Sequence, residues 1–142
     1  MGINKSVIIL FCLLFLACNK TQELEEKITS YIEKHSNNNI SENQYYVLLN
    51  TNSCYPCNEV IVKYLNELES VNAFNLILKG NSKKEIQGYF PLDENLNFKV
   101  NFDLSKSKTN FKMPILIISK ANSLEIYEIN INNYSAVLSK IE

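Results

Sequence analysis

Tyr45-Tyr46-Val47-Leu48-Leu49, the link Asn50-Thr51-Asn52-Ser53, the pair Cys54-Tyr55-Pro56-Cys57 and the run Phe74-Asn75-Leu76-Ile77-Leu78 follow one another in that order. The first run is continuously apolar, as for a strand buried on both faces. From the second cysteine, Cys57, Val60, Ile61, Tyr64, Leu65 and Leu68 recur at i, i+3, i+4, i+7, i+8 and i+11. Asn58, Glu59, Lys63, Asn66 and Glu67 take the opposite face, so an amphipathic helix is expected. Phe74–Leu78 then reads as a second strand. Strand, helix and strand in this order form a βαβ unit with parallel strands.

Outward from this unit the pattern continues as α/β. Ser82-Lys83-Lys84-Glu85 is a capping box opening a short helix to about Phe90, stopped by Pro91. Phe98–Phe102 alternates like a half-exposed strand, and 103–112 reads as a polar loop. Ile115–Ile118 and Leu124–Ile129 flank Lys120-Ala121-Asn122-Ser123, a hairpin signal. Tyr134, Val137, Leu138 and Ile141 share one face of a last helix. Upstream, Leu24, Ile28, Tyr31, Ile32 and His35 stripe a helix over 20–35, whose Glu23, Glu25 and Glu26 suit a helix start. The expected architecture is a central mixed sheet, parallel βαβ plus C-terminal hairpin, flanked by helices, with an extra N-terminal helix. No internal repeat or second domain is visible.

The chain has 142 residues, a net charge of −1, 46% hydrophobic and 20% charged residues, an ordinary globular balance. All its basic residues are Lys and none forms a block, which excludes a nucleic-acid partner. Without Arg, bidentate clamps on carboxylate or phosphate are missing too. At the N-terminus, Lys5 and the apolar run Val7–Ala17 read as an export signal, shorter than a span of about 20 residues. Both a cleaved signal and an uncleaved anchor place residues 20–142 outside the cytoplasm, where disulfides persist.

Cys12 lies within the leader, which leaves Cys54 and Cys57 as the cysteines of the exported domain besides Cys18. Two Cys and the single His35 cannot complete a four-ligand zinc site, and Asn58 stands where haem attachment needs His. No metal and no cofactor is expected. A static local bridge or idle thiols remain alternatives, but so small a loop adds little entropic stability. The spacing points instead to redox chemistry. Cys54 at a helix N-terminus, facing free N–H groups and the positive dipole end, is expected to have a lowered pKa. Its thiolate attacks a substrate disulfide, and Cys57, one turn on and buried, resolves the mixed disulfide. Pro56 suits a first turn, and Tyr55 projects from it as a substrate contact.

With these residues, the chain resembles the thioredoxin superfamily over about 45–141, in particular its membrane-tethered, extracytoplasmic TlpA type. The carriers are the strand Tyr45–Leu49, the pair Cys54-Tyr55-Pro56-Cys57 opening a helix, and Met113-Pro114 before Ile115–Ile118. The resemblance implies a thioredoxin-like fold and a cis-proline at Pro114 that binds extended substrate backbone together with Met113. Phe15-Leu16-Ala17-Cys18 likewise resembles a bacterial lipobox, implying cleavage after Ala17 and lipid on Cys18. The implied organisation is a signal peptide at 1–17, lipidated Cys18 with linker and helix at 18–44, and a thioredoxin-like domain at 45–142.

Two departures stand out: Ser53 where the family often has Trp, and Leu48 where thioredoxins bury an acid. The expected function is a monomeric thiol–disulfide oxidoreductase anchored in the bacterial envelope, facing the periplasm or outside. It would act as a reductase of exported-protein disulfides supplied by a membrane electron donor. The alternatives are a non-catalytic thioredoxin-fold lipoprotein serving as a binding or scaffold module, and a peroxidase using Cys54. Glu59 and Lys63 are expected on the solvated face, and His35 at a helix end without a catalytic role.

Overall fold

A computed structural model describes residues 5–36, 39–68, 73–92 and 98–141, with side chains from Thr21 onward. The elements run α1 (Lys5–Ser36), β1 (Tyr45–Asn50), α2 (Tyr55–Glu67), β2 (Phe74–Lys79), α3 (Lys83–Tyr89), β3 (Lys99–Asp103), β4 (Ile115–Ser119), β5 (Leu124–Glu128) and α4 (Tyr134–Leu138). The five strands form one mixed sheet in the order β3-β2-β1-β4-β5. β1 pairs parallel with β2 and β2 with β3, while β4 runs antiparallel to both β1 and β5. The parallel βαβ unit and the C-terminal hairpin expected from the sequence are both present.

Alternation along the central strands divides the core in two. Val47, Leu49, Leu76, Leu78, Leu116 and Ile118 face one side, where they meet Ile61 and Leu65 of α2, Ile86 of α3 and Val137 and Leu138 of α4. Tyr46, Leu48, Ile77, Ile115 and Ile117 face the other side, which α1 covers with Ile28 and Ile32. Both isoleucines are fully buried, which contributes about 2 kcal/mol each. The N-terminal helix therefore packs on the domain through the stripe that Leu24, Ile28, Tyr31 and Ile32 form.

Several boundaries differ from the sequence reading. The α1 backbone is helical from Lys5, so Glu23, Glu25 and Glu26 sit within the helix and its first turn carries no acid. Their dipole role lapses, although Glu23 does pair with Lys27 at 2.6 Å. Asp103 ends β3 with no exposure instead of opening a loop. Glu85 sits in the first turn of α3, where its backbone N–H donates to Ser82 Oγ at 3.1 Å. Its carboxylate, however, reaches the N–H of Asn81 at 3.1 Å instead of closing back on Ser82. The side chains of Lys5, Cys12, Ala17 and Cys18 lie outside those described. Among the described residues, no helix is long and apolar enough to cross a membrane.

Candidate active site

The C-terminal ends of β1, β2 and β3 lie at one end of the sheet. There β1 passes through Thr51-Asn52-Ser53 into Cys54, the N-cap of α2. Cys54 is bonded to Cys57, with their Cα atoms 5.3 Å apart. The two sulfurs are unlike in surroundings: Cys54 is exposed and Cys57 has no exposure. Cys54 Sγ accepts the backbone N–H of Cys57 at 3.4 Å. Pro56 stands in the first turn, where its lack of an N–H leaves no helical bond unmade. Tyr55 is 60% exposed, beside the reachable sulfur.

Three side chains that sequence periodicity did not single out, Asn58, Ser53 and Thr51, hold this junction. Asn58, expected on the solvated face, is 2% exposed. Its Nδ2 donates to the Asn50 carbonyl at 3.0 Å and to Ser53 Oγ at 3.2 Å. Ser53 also donates its N–H and its hydroxyl to that carbonyl, at 3.0 and 2.7 Å. The carboxamide thus staples the turn before Cys54 to the first turn of α2. A buried amide is tolerated because its hydrogen bonds are made. The polar-face pattern hid it, since an Asn that bonds a neighbouring loop looks in sequence like an Asn facing water. On the other side of the link, Thr51 Oγ1 donates to Glu85 Oε1 at 2.8 Å. That bond, with the bond from Asn81, lowers the Glu85 pKa. Gly80 permits this approach: a Cβ there would fall 2.6 Å from Ile86 Cγ1 and 3.1 Å from Thr51 Cγ2.

Met113 and Pro114 reach the same end of the sheet from the other side. The bond between them is cis. Ile115 lies opposite Leu48 in the antiparallel register, so Pro114 precedes it where β1 leaves the sheet for Cys54. Pro114 is buried and its carbonyl accepts the N–H of Ile129 at 2.9 Å. The Met113 side chain packs with the cluster beneath α1. Topology thus gathers Cys54, Cys57, Tyr55, Pro56, Met113 and Pro114 at one end of the sheet. Cys18 lies outside the described side chains.

A buried polar cluster sits beneath α1 at the same end. Lys79 and Asp103 are direct partners in the parallel β2–β3 register. Their side chains meet at 2.7 Å, and Lys79 Nζ also donates to the Ser105 carbonyl at 2.9 Å and Ser105 Oγ at 3.1 Å. Asp103 further accepts from Tyr31 Oη at 2.8 Å and from the Ser105 N–H at 2.8 Å. Burial alone would raise the Asp103 pKa, but hydrogen bonds from Lys79, Ser105 and Tyr31 outweigh it and hold the carboxyl far below its usual range. Tyr31 is pushed well above the ordinary phenol value by burial and then by Asp103. His35 packs against Tyr31 with the rings tilted by 47° and their centres 4.6 Å apart, and its Nε2 lies 3.8 Å from Asp103 Oδ2. Burial lowers its pKa more than Asp103 raises it. The cluster fastens α1 to the sheet, so His35 does more than end its helix.

Glu59 and Lys63 are exposed, as expected. Among the described residues, no group of three His, Cys, Asp or Glu side chains is placed to hold a metal. What remains is one buried and one exposed sulfur at a helix N-terminus, an arrangement able to exchange disulfides through a single reachable atom. No family model matches the chain, and neither a curated protein nor a solved structure is significantly similar to it.

Proposed function

We propose that the chain is a thiol–disulfide oxidoreductase of thioredoxin-like fold, tethered by lipid on Cys18 and working on disulfides of exported proteins. The observation that carries the reading is the asymmetry of the pair: exposed Cys54 caps α2 and accepts an N–H, while Cys57 is fully buried behind it. Backbone N–H groups and the helix dipole stabilise negative charge on the Cys54 sulfur once the bridge is reduced. The sheet order, with the cysteine pair at the β1–α2 junction and Met113–Pro114 before β4, supports the thioredoxin-like reading.

In the reductive direction, the Cys54 thiolate attacks one sulfur of a substrate disulfide. A mixed disulfide forms and the first substrate thiolate leaves, taking up the proton that Cys57 releases. The Cys57 thiolate then attacks Cys54 Sγ, closing the protein disulfide and expelling the second substrate thiolate, which is protonated from water. The substrate gains two electrons and the protein loses two, to be restored by a membrane electron donor. Cys54 is the nucleophile and Cys57 the resolving thiol. Tyr55, Pro56 and the Met113–Pro114 backbone border the substrate.

Single serine substitutions test the assignment. Cys54→Ser abolishes exchange with hydroxyethyl disulfide, and Cys57→Ser accumulates reducible mixed disulfides on Cys54. Both variants turning over like the parent overturns the proposal.

A further inference from the structure

We infer that the groove between α2 and the end of α3 binds the chain of a polypeptide substrate next to its cysteine, with a bulky apolar side chain preferred there. The inference rests on the proposed exchange at Cys54 and deepens it by naming the kind of side chain preferred beside the substrate cysteine.

The groove encloses about 340 Å³ and begins at Tyr55, one residue after the reachable sulfur. It is lined by Tyr55, by Tyr89 at the end of α3 and Pro91 just beyond it, and by Val62 and Asn66 of α2. Neither Met113 nor Pro114 lines it, so it is a separate flank of the site. Its walls are fixed. The Tyr55 and Tyr89 rings meet edge to face at 5.5 Å, and Tyr89 rests at 4.9 Å on Phe90, which is 2% exposed. Asn66 Nδ2 donates to the Pro91 carbonyl at 3.1 Å and ties the far end to α2. Val62 is 6% exposed, an apolar floor.

What fills the groove follows from the sulfur. Cys57 has no exposure, so an incoming disulfide bonds to Cys54 and its chain must leave across the adjoining surface. From Tyr55 to Asn66 a helix rises about 16 Å, the length of about five residues of extended chain. The lining is aromatic, proline and amide, with Glu59 and Lys63 at the rim. Such a surface takes an apolar side chain against the two joined rings and leaves the substrate's polar backbone to water. A small thiol reaches Cys54 without touching the groove.

The test compares three disulfides against the reduced full chain: hydroxyethyl disulfide, a pentapeptide disulfide with Phe on both sides of its Cys, and the same peptide with Gly there. The Phe peptide is expected to react about tenfold faster than the Gly peptide, equal to about 1.4 kcal/mol. Tyr89→Ala reduces that ratio below about twofold, whereas Tyr89→Phe, which keeps the ring, retains it. Tyr55→Ala, at an exposed position that the fold does not depend on, reduces it too. Exchange with hydroxyethyl disulfide but equal rates for both peptides overturns the groove and leaves the oxidoreductase standing. No exchange with any of the three overturns both.

Discussion

Asn58→Ala tests how the turn before the cysteine pair is held. The substitution removes two donated hydrogen bonds, to the Asn50 carbonyl at 3.0 Å and to Ser53 Oγ at 3.2 Å. At about 1 kcal/mol net each, the loss is about 2 kcal/mol. The Asn50 carbonyl keeps its two bonds from Ser53, so no buried acceptor is stranded. Alanine returns about 0.5 kcal/mol as the better helix former, leaving a net cost of about 1.5 kcal/mol. With a urea slope of about 2 kcal/mol/M, the unfolding midpoint of the oxidised full chain falls by about 0.75 M. Reduced protein should also alkylate more slowly at Cys54 at neutral pH, because a looser turn lets the sulfur leave the Cys57 N–H. A midpoint within about 0.1 M of the parent, with unchanged alkylation, refutes the staple.

Asp103→Asn leaves the Lys79 ammonium buried beside a neutral amide and should cost about 3–5 kcal/mol, measured by the same denaturation. The double variant Lys79→Met/Asp103→Leu should cost less than Asp103→Asn alone, since no charge is then stranded; a larger cost contradicts the reading of the pair. The folded-state pKa of Asp103 is depressed, so the stability it contributes is full above the unfolded value of about 4 and is lost as pH falls below it. His35 is also depressed, and stability should begin to decline as pH falls through its unfolded value of about 6.5. Denaturation from pH 8 to pH 3 checks both, with His35→Gln flattening the upper part of the profile alone.

The βαβ unit was legible because Tyr45–Leu49 and Phe74–Leu78 are short apolar runs around an unambiguous 3.6-residue stripe. The cysteine pair was legible because Cys57 belongs to that stripe while Cys54 and Tyr55 precede it. Local pattern fails where a partner lies far along the chain. Lys79 and Asp103 are separated by 24 residues and meet only because β2 and β3 run parallel with these two in register. Periodicity likewise assigned Asn58 to water because it counts polarity and not hydrogen-bond partners. The only sequence signal was a poor helix former in a first turn, next to a loop with carbonyls to satisfy.

The most direct measurement of the central claim is the reduction potential of the Cys54–Cys57 pair in the full chain, equilibrated in dithiothreitol or glutathione buffers and read by alkylation at Cys54 and Cys57 themselves. A reversible two-electron transition near about −270 mV, the thioredoxin end of the scale, is predicted for a reductase. A midpoint near about −120 mV would contradict the direction and make the protein an oxidant of exported thiols. A bridge that fails to exchange at any accessible potential would contradict the oxidoreductase itself.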